Sequence, residues 1–125
     1  MELNATIAEI AAQLGNLIKD TPEMQRMKKA EEAMRAHVDL QGKLQEYGVH
    51  TRTLADNPDA AFAASITDRV KMLADEIEAD PVYIEFQAAQ NDVGELMNLV
   101  NNEINYAITG ERSCSGNCSS CGGCG

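Results

Sequence analysis

Eight apolar residues, Val82, Phe86, Ala89, Val93, Leu96, Val100, Ile104 and Ala107, recur at steps of three and four along the last part of the chain. Steps of that size put all eight on one face of an α-helix, whereas a strand would scatter them over both faces. If unbroken to Ile108, such a helix spans about 40 Å at about 1.5 Å per residue. Thr109-Gly110 supplies its stop, because glycine takes the left-handed conformation that ends many helices.

Three further segments repeat the pattern with their own punctuation. Leu3, Ile7, Ile10, Leu14 and Leu17 form a narrow stripe that Asp20-Thr21-Pro22 terminates. Pro22 fits the start of a second helix, whose first N–H has no partner to lose. Met24, Met27, Ala30, Met34, Val38, Leu44 and Tyr47 line this one up to Gly48, with Leu40 off the stripe. Periodicity lapses from Gly48 to Pro58. Asp56-Asn57-Pro58 is then expected to turn the chain and cap a third helix carrying Phe62, Ile66, Val70, Leu73 and Ile77. Asp80-Pro81 opens the last.

These segments predict an all-α fold, an antiparallel bundle of about four helices around a long C-terminal one. With 44% apolar and 24% charged residues, the chain suits one modest domain, expected over residues 1–110. Met97, Leu99 and Ile108, with Tyr83 and Ile84, widen the apolar face of the long helix, so more than one neighbour can pack on it, a partner chain among them. Asn98, Asn101, Asn102 and Asn105 form an amide stripe on the same helix, read as a solvated polar face.

Twenty acidic against ten basic residues give a formal charge of −10, and no Lys or Arg stands between Lys71 and Arg112. Such a surface repels phosphate backbones, so direct nucleic-acid binding is not expected and basic protein partners are. Arg26, Lys28, Lys29 and Arg35 are the one basic concentration, interspersed with Glu23, Glu31, Glu32 and Asp39, and read as a solvated helix face. The chain has neither a secretory start nor an apolar run of membrane-spanning length, and a soluble, cytoplasmic protein is expected.

The only four cysteines, Cys114, Cys118, Cys121 and Cys124, crowd into residues 111–125, a Ser/Gly-rich tail with little else to bury. Without a ligand this tail is expected to be flexible. Disulfides closing such small loops would stabilise little and would not persist in a reducing cytosol. Soft metal ligation is favoured: an iron–sulfur cluster such as [4Fe–4S], or zinc, with a redox-sensing thiol cluster as a third reading. Gly116, Gly122, Gly123 and Gly125 permit the tight turns that would bring four sulfurs to one centre. Four thiolates around either centre leave a net charge of −2, and only Arg112 is close in sequence, so cationic groups from elsewhere are expected to cover the site. The Cys-x3-Cys-x2-Cys spacing of radical enzymes is matched by the first three, but this helical chain is too short for their barrel.

No phosphate loop, His-Glu-x-x-His or Gly-x-Ser-x-Gly occurs, and His37 and His50 stand apart from the cysteines, read as surface or boundary residues. No catalytic residue is assigned.

The apolar first helix, the Thr-Pro-started second and the run from Asp80-Pro-Val-Tyr-Ile-Glu-Phe into Leu96-Met-Asn-Leu-Val-Asn-Asn-Glu-Ile-Asn-Tyr-Ala-Ile resemble the YlbF/YmcA family of bacterial regulators, over roughly residues 3 to 109. The resemblance implies a small cytosolic all-α protein that forms homo- or hetero-oligomers with related helical subunits. It also implies a link to complexes carrying iron–sulfur clusters, to competence, sporulation and biofilm regulation, and to messenger-RNA processing through ribonuclease Y. The expected function is a non-catalytic adaptor; the alternative is a carrier delivering zinc or an assembled cluster to a partner.

Overall fold

The computed structural model describes residues 1–112, and among them all regular structure is helical. Five helices succeed one another: α1 (Ala5–Lys19), α2 (Pro22–Ala36), α3 (Val38–Asp56), α4 (Ala63–Ala79) and α5 (Pro81–Thr109). The starts and stops have local causes. Asn4 caps α1 by accepting from the Thr6 N–H at 2.8 Å. The Thr21 hydroxyl serves two helices at once, accepting from the Met24 N–H at 3.3 Å and donating to the Ile18 carbonyl at 2.7 Å. Asp80 caps α5 through the Val82 N–H, with Pro81 holding the preceding residue extended. Gly110 ends α5 at φ 74°, as expected of its position.

The expected second helix is in fact two. The chain breaks at His37, whose ψ of 84° is not helical and whose ring accepts from the Leu40 N–H to start α3. No proline or glycine marks this break. The helix count among the described residues is therefore five, not about four, and α3 runs on through Gly48 to Asp56, where the sequence pattern lapses. Asp56-Asn57-Pro58 turns the chain but does not cap the next helix: α4 begins at Ala63 after Phe62, with no side-chain cap bond.

The five helices form a hairpin of interrupted helices. α2 packs chiefly on α5 and α3 on α4, while α1 touches α2 and no other helix. Cross-pairs set the register: Glu46 with Arg69, Lys43 with Glu76, His37 with Asp80, and Arg26 with Glu85 and Asp92. One number falls as the other rises, which is antiparallel pairing. The core sits around the bend, where Leu40, Leu73 and Ile77 are buried and Met34, Leu44, Tyr47, Val82 and Tyr83 close over them. Ala30 and Ala89 are the buried residues of α2 and α5, so these helices approach over small side chains. The core is small, and the expected bundle around the long helix is incomplete, since among the described helices only α2 and α4 cover α5.

Candidate docking site

Two helical stretches carry apolar residues that nothing else among the described residues covers. α1 has no buried residue; Leu3, Ile7, Ile10 and Leu17 are exposed, and Leu14 and Ile18 are half-buried. The second stretch is the far half of α5, where Leu99, Ile104, Tyr106 and Ile108 face solvent. Single exposed apolar residues are ordinary, but a periodic row of them along a whole helix marks a surface built for a partner. By helical spacing the amide stripe Asn98, Asn101, Asn102 and Asn105 falls on the side of α5 opposite its apolar row; Asn98, Asn101 and Asn105 are exposed as expected of a solvated face, while Asn102 is half-buried.

Charge is nearly excluded from both stretches. Within α1 only Glu9 and Lys19 are ionic. In the last half of α5 only Glu103 is, and it is paired with Arg112, whose guanidinium lies 4.2 Å from the Tyr106 ring centroid. The one cation near the cysteines in sequence is therefore engaged on the helix.

The ionic groups of the hairpin instead tie helices together. Arg26 grips Glu85 through two nitrogens at 2.7 and 2.8 Å and Asp92 through a third contact at 2.5 Å, across α2 and α5. This corrects its reading as part of a solvated face, although Lys28, Lys29 and Arg35 are exposed as expected. The same contact holds the Glu85 carboxyl below its ordinary value. Arg69 clasps Glu46 at 2.5 and 2.8 Å, and with His50 at 3.0 Å it lowers the Glu46 carboxyl to about 2. Partial burial opposes the charge of Asp80, but the Val82 N–H and His37 outweigh it and keep the carboxyl below its usual value. Both histidines thus serve helix contacts, and sequence alone did not reveal the role of His37, whose partner is distant in the chain.

Cys114, Cys118, Cys121 and Cys124 lie outside the described residues. Among the described residues no group of three or more His, Cys, Asp or Glu is arranged to hold a metal ion. A surface groove of about 450 Å³ is open and lies at the α1–α2 junction between Lys19, Met24, Met27 and Lys28. Among the described residues no helix is long and apolar enough to cross a membrane.

Nothing among the curated proteins matches the chain. The family described as control of competence regulator ComK, YlbF/YmcA, matches residues 7–109, from the first turn of α1 to the end of α5. With the helical order, the punctuation at Thr21-Pro22 and Asp80-Pro81 and this match in agreement, the chain belongs to the YlbF/YmcA family of competence regulators.

Proposed function

We propose that the chain is a non-catalytic regulatory adaptor: its helical body, residues 1–110, docks related helical subunits or a basic partner protein, and its tail, residues 111–125, binds an iron–sulfur cluster or zinc through Cys114, Cys118, Cys121 and Cys124. The observation that carries the docking half is the row of uncovered apolar side chains on α1, in a family that acts in regulation. For the tail the support is chemical. Four thiols separated by Gly and Ser form a donor set that suits either group. Bound there, the group would supply a link whose integrity depends on iron, zinc or redox state. With Arg112 committed to Glu103, compensation of the anionic site falls to a partner. Regulation linked to ribonuclease Y and messenger-RNA processing is the pathway this reading favours, in the cytoplasm.

Anaerobic purification with metal analysis and a visible spectrum tests the tail. Iron with a charge-transfer band supports the cluster; zinc alone supports the second donor chemistry. A partner that co-purifies with wild type and is lost when the four cysteines become serine supports the adaptor. Transfer of the metal to an apo-acceptor without stable association would favour a carrier instead. Absence of both metals from oxygen-protected protein would overturn the tail assignment.

A further inference from the structure

Both runs of the hairpin are interrupted at one level, and each interruption is a single residue. His37 stands between the end of α2 and the start of α3, with φ −89° and ψ 84°. Asp80 stands between α4 and α5, at ψ 123°. On one side of that level α2 packs on α5, and on the other α3 packs on α4. Two arms of two helices each are therefore joined through two short links, and the links face each other, with the His37 Nε2 2.8 Å from the Asp80 carboxylate. Opposed non-helical links between packed arms are the geometry of a hinge.

The His37 ring has two roles in this hinge, and they favour different protonation states. Its Nδ1 accepts from the Leu40 N–H at 3.3 Å. A backbone N–H can only donate, so that nitrogen is unprotonated and the ring is neutral, with its proton on Nε2. Protonation places a hydrogen on both nitrogens and leaves no lone pair for Leu40. The Asp80 carboxylate accepts from Nε2 in either state and attracts the charged ring more strongly.

We infer that the bend is a pH-responsive hinge: a neutral His37 ties the start of α3 to the start of α5, and a protonated His37 drops the Leu40 N–H, stays with Asp80 and frees the α3–α4 arm to turn against the α2–α5 arm. The device lies wholly in the helical body and stands whether or not the tail holds a metal.

The surroundings leave the ring as the group that changes. Its side chain is 29% exposed, so water reaches it, and among the described residues Asp80 is its charged partner. Burial opposes the charge of Asp80, yet the Val82 N–H and His37 hold its carboxyl below the ordinary value, so it stays ionised while the ring titrates. Lys43 of α3 is engaged by Asp39 at 3.2 Å and by Glu76 of α4 at 3.6 Å. Arg35 of α2 is exposed, and Tyr47 and Tyr83 close over the apolar cluster beside the hinge. That cluster joins Leu40, Leu73 and Ile77 to Met34 and Val82, and so spans both arms. The Gln41 side chain also donates to the Met34 carbonyl across the break at 2.8 Å. Release of the cap therefore changes the angle between the arms and not their association. His50 pairs with Glu46 inside α3, about 20 Å from the hinge at about 1.5 Å per residue, and serves as a control.

NMR of the whole chain at about pH 7.5 and about pH 5.5, a range over which histidine changes charge, tests the hinge. Ring shifts follow protonation of His37, amide exchange protection of Leu40 reads the cap, and residual dipolar couplings read the angle between the arms. On acidification the Leu40 protection should fall by about fivefold, as loss of one helix cap implies, and the arms should reorient in the same step as the ring. His37→Asn caps without titrating, so its Leu40 protection and its inter-arm angle should not change with pH. His50→Gln should behave as wild type. Circular dichroism checks that both variants keep their helicity.

A wild-type ring that is still neutral at the lower pH overturns the inference. So does a ring that titrates while Leu40 protection or the inter-arm angle stays constant. Both outcomes are read on wild type, so they decide the matter even if the asparagine variant does not fold. A pH step that persists in a folded His37→Asn chain assigns the change to another group and overturns it too.

Discussion

His37 and Asp80 hold each other across the two interruptions of the hairpin. The imidazole Nε2 stands 2.8 Å from the Asp80 carboxylate, its Nδ1 accepts from the Leu40 N–H, and the carboxylate also accepts from the Val82 N–H. With Nδ1 accepting, the ring proton is assigned to Nε2, where it faces the carboxylate. One pair of side chains therefore caps α3 and α5 and joins them. His37→Asn keeps a capping acceptor but is too short to reach Asp80, and His37→Ala loses both functions. The expected order of thermal midpoints is wild type, then Asn, then Ala. Equal midpoints for Asn and Ala would show that the cap contributes nothing.

The Glu46 carboxyl is held at about 2 against an ordinary 4.5, by Arg69 first and His50 after it. A carboxylate lowered in the folded state contributes stability that is fully present above 4.5 and is lost as pH falls toward about 2. Thermal midpoints measured from pH 5 down should therefore fall more steeply for wild type than for Glu46→Gln. Because both partners are partly exposed, added salt should narrow the difference. Parallel curves would remove Glu46 from the account of acid sensitivity.

Leu40 and Leu73 are fully buried at the bend and belong to one cluster with Ile77. Leu40→Ala and Leu73→Ala should each cost about 3 kcal/mol in urea unfolding. Since the two share a cluster, the double variant is expected to depart from the sum of the single effects. A loss below about 1 kcal/mol at either site would mean that the small core is elsewhere.

Two glycines predict opposite signs. Gly48 lies inside α3 with open space where a side chain would begin, so Gly48→Ala should stabilise by about 0.5–1 kcal/mol. Gly110 has equal space but a φ of 74°, and Gly110→Ala should destabilise by about 1 kcal/mol through backbone conformation alone. Denaturant midpoints measure both, and effects of the same sign would contradict the assigned backbone.

The stripes on α1 and α5, the Thr21-Pro22 and Asp80-Pro81 starts and the Gly110 stop were legible because each is written in neighbouring residues: spacing, a capping oxygen, a ring that fixes φ. The break at His37 was not, since no local breaker marks it and its ring is held by Asp80, far along the chain. α3 outran its pattern for the same kind of reason. Packing on α4, with Arg69 clasping Glu46, sustains a helix past Gly48 that periodicity alone would end. Arg26 sits in a mixed-charge run that resembles any solvated face, and only the approach of α5 made it a clasp. The four cysteines lie beyond the described residues, and their proposed role as ligands rests on donor chemistry.

Local spacing and punctuation thus determined that this chain is helical, where four of its five helices start or stop, and that a cluster of soft donors comes after them. Only tertiary structure decided which apolar faces meet. Periodicity records that a face must be covered, but the covering surface depends on register between distant segments. Here that register buries the bend around Leu40 and Leu73 and leaves α1 and the end of α5 open.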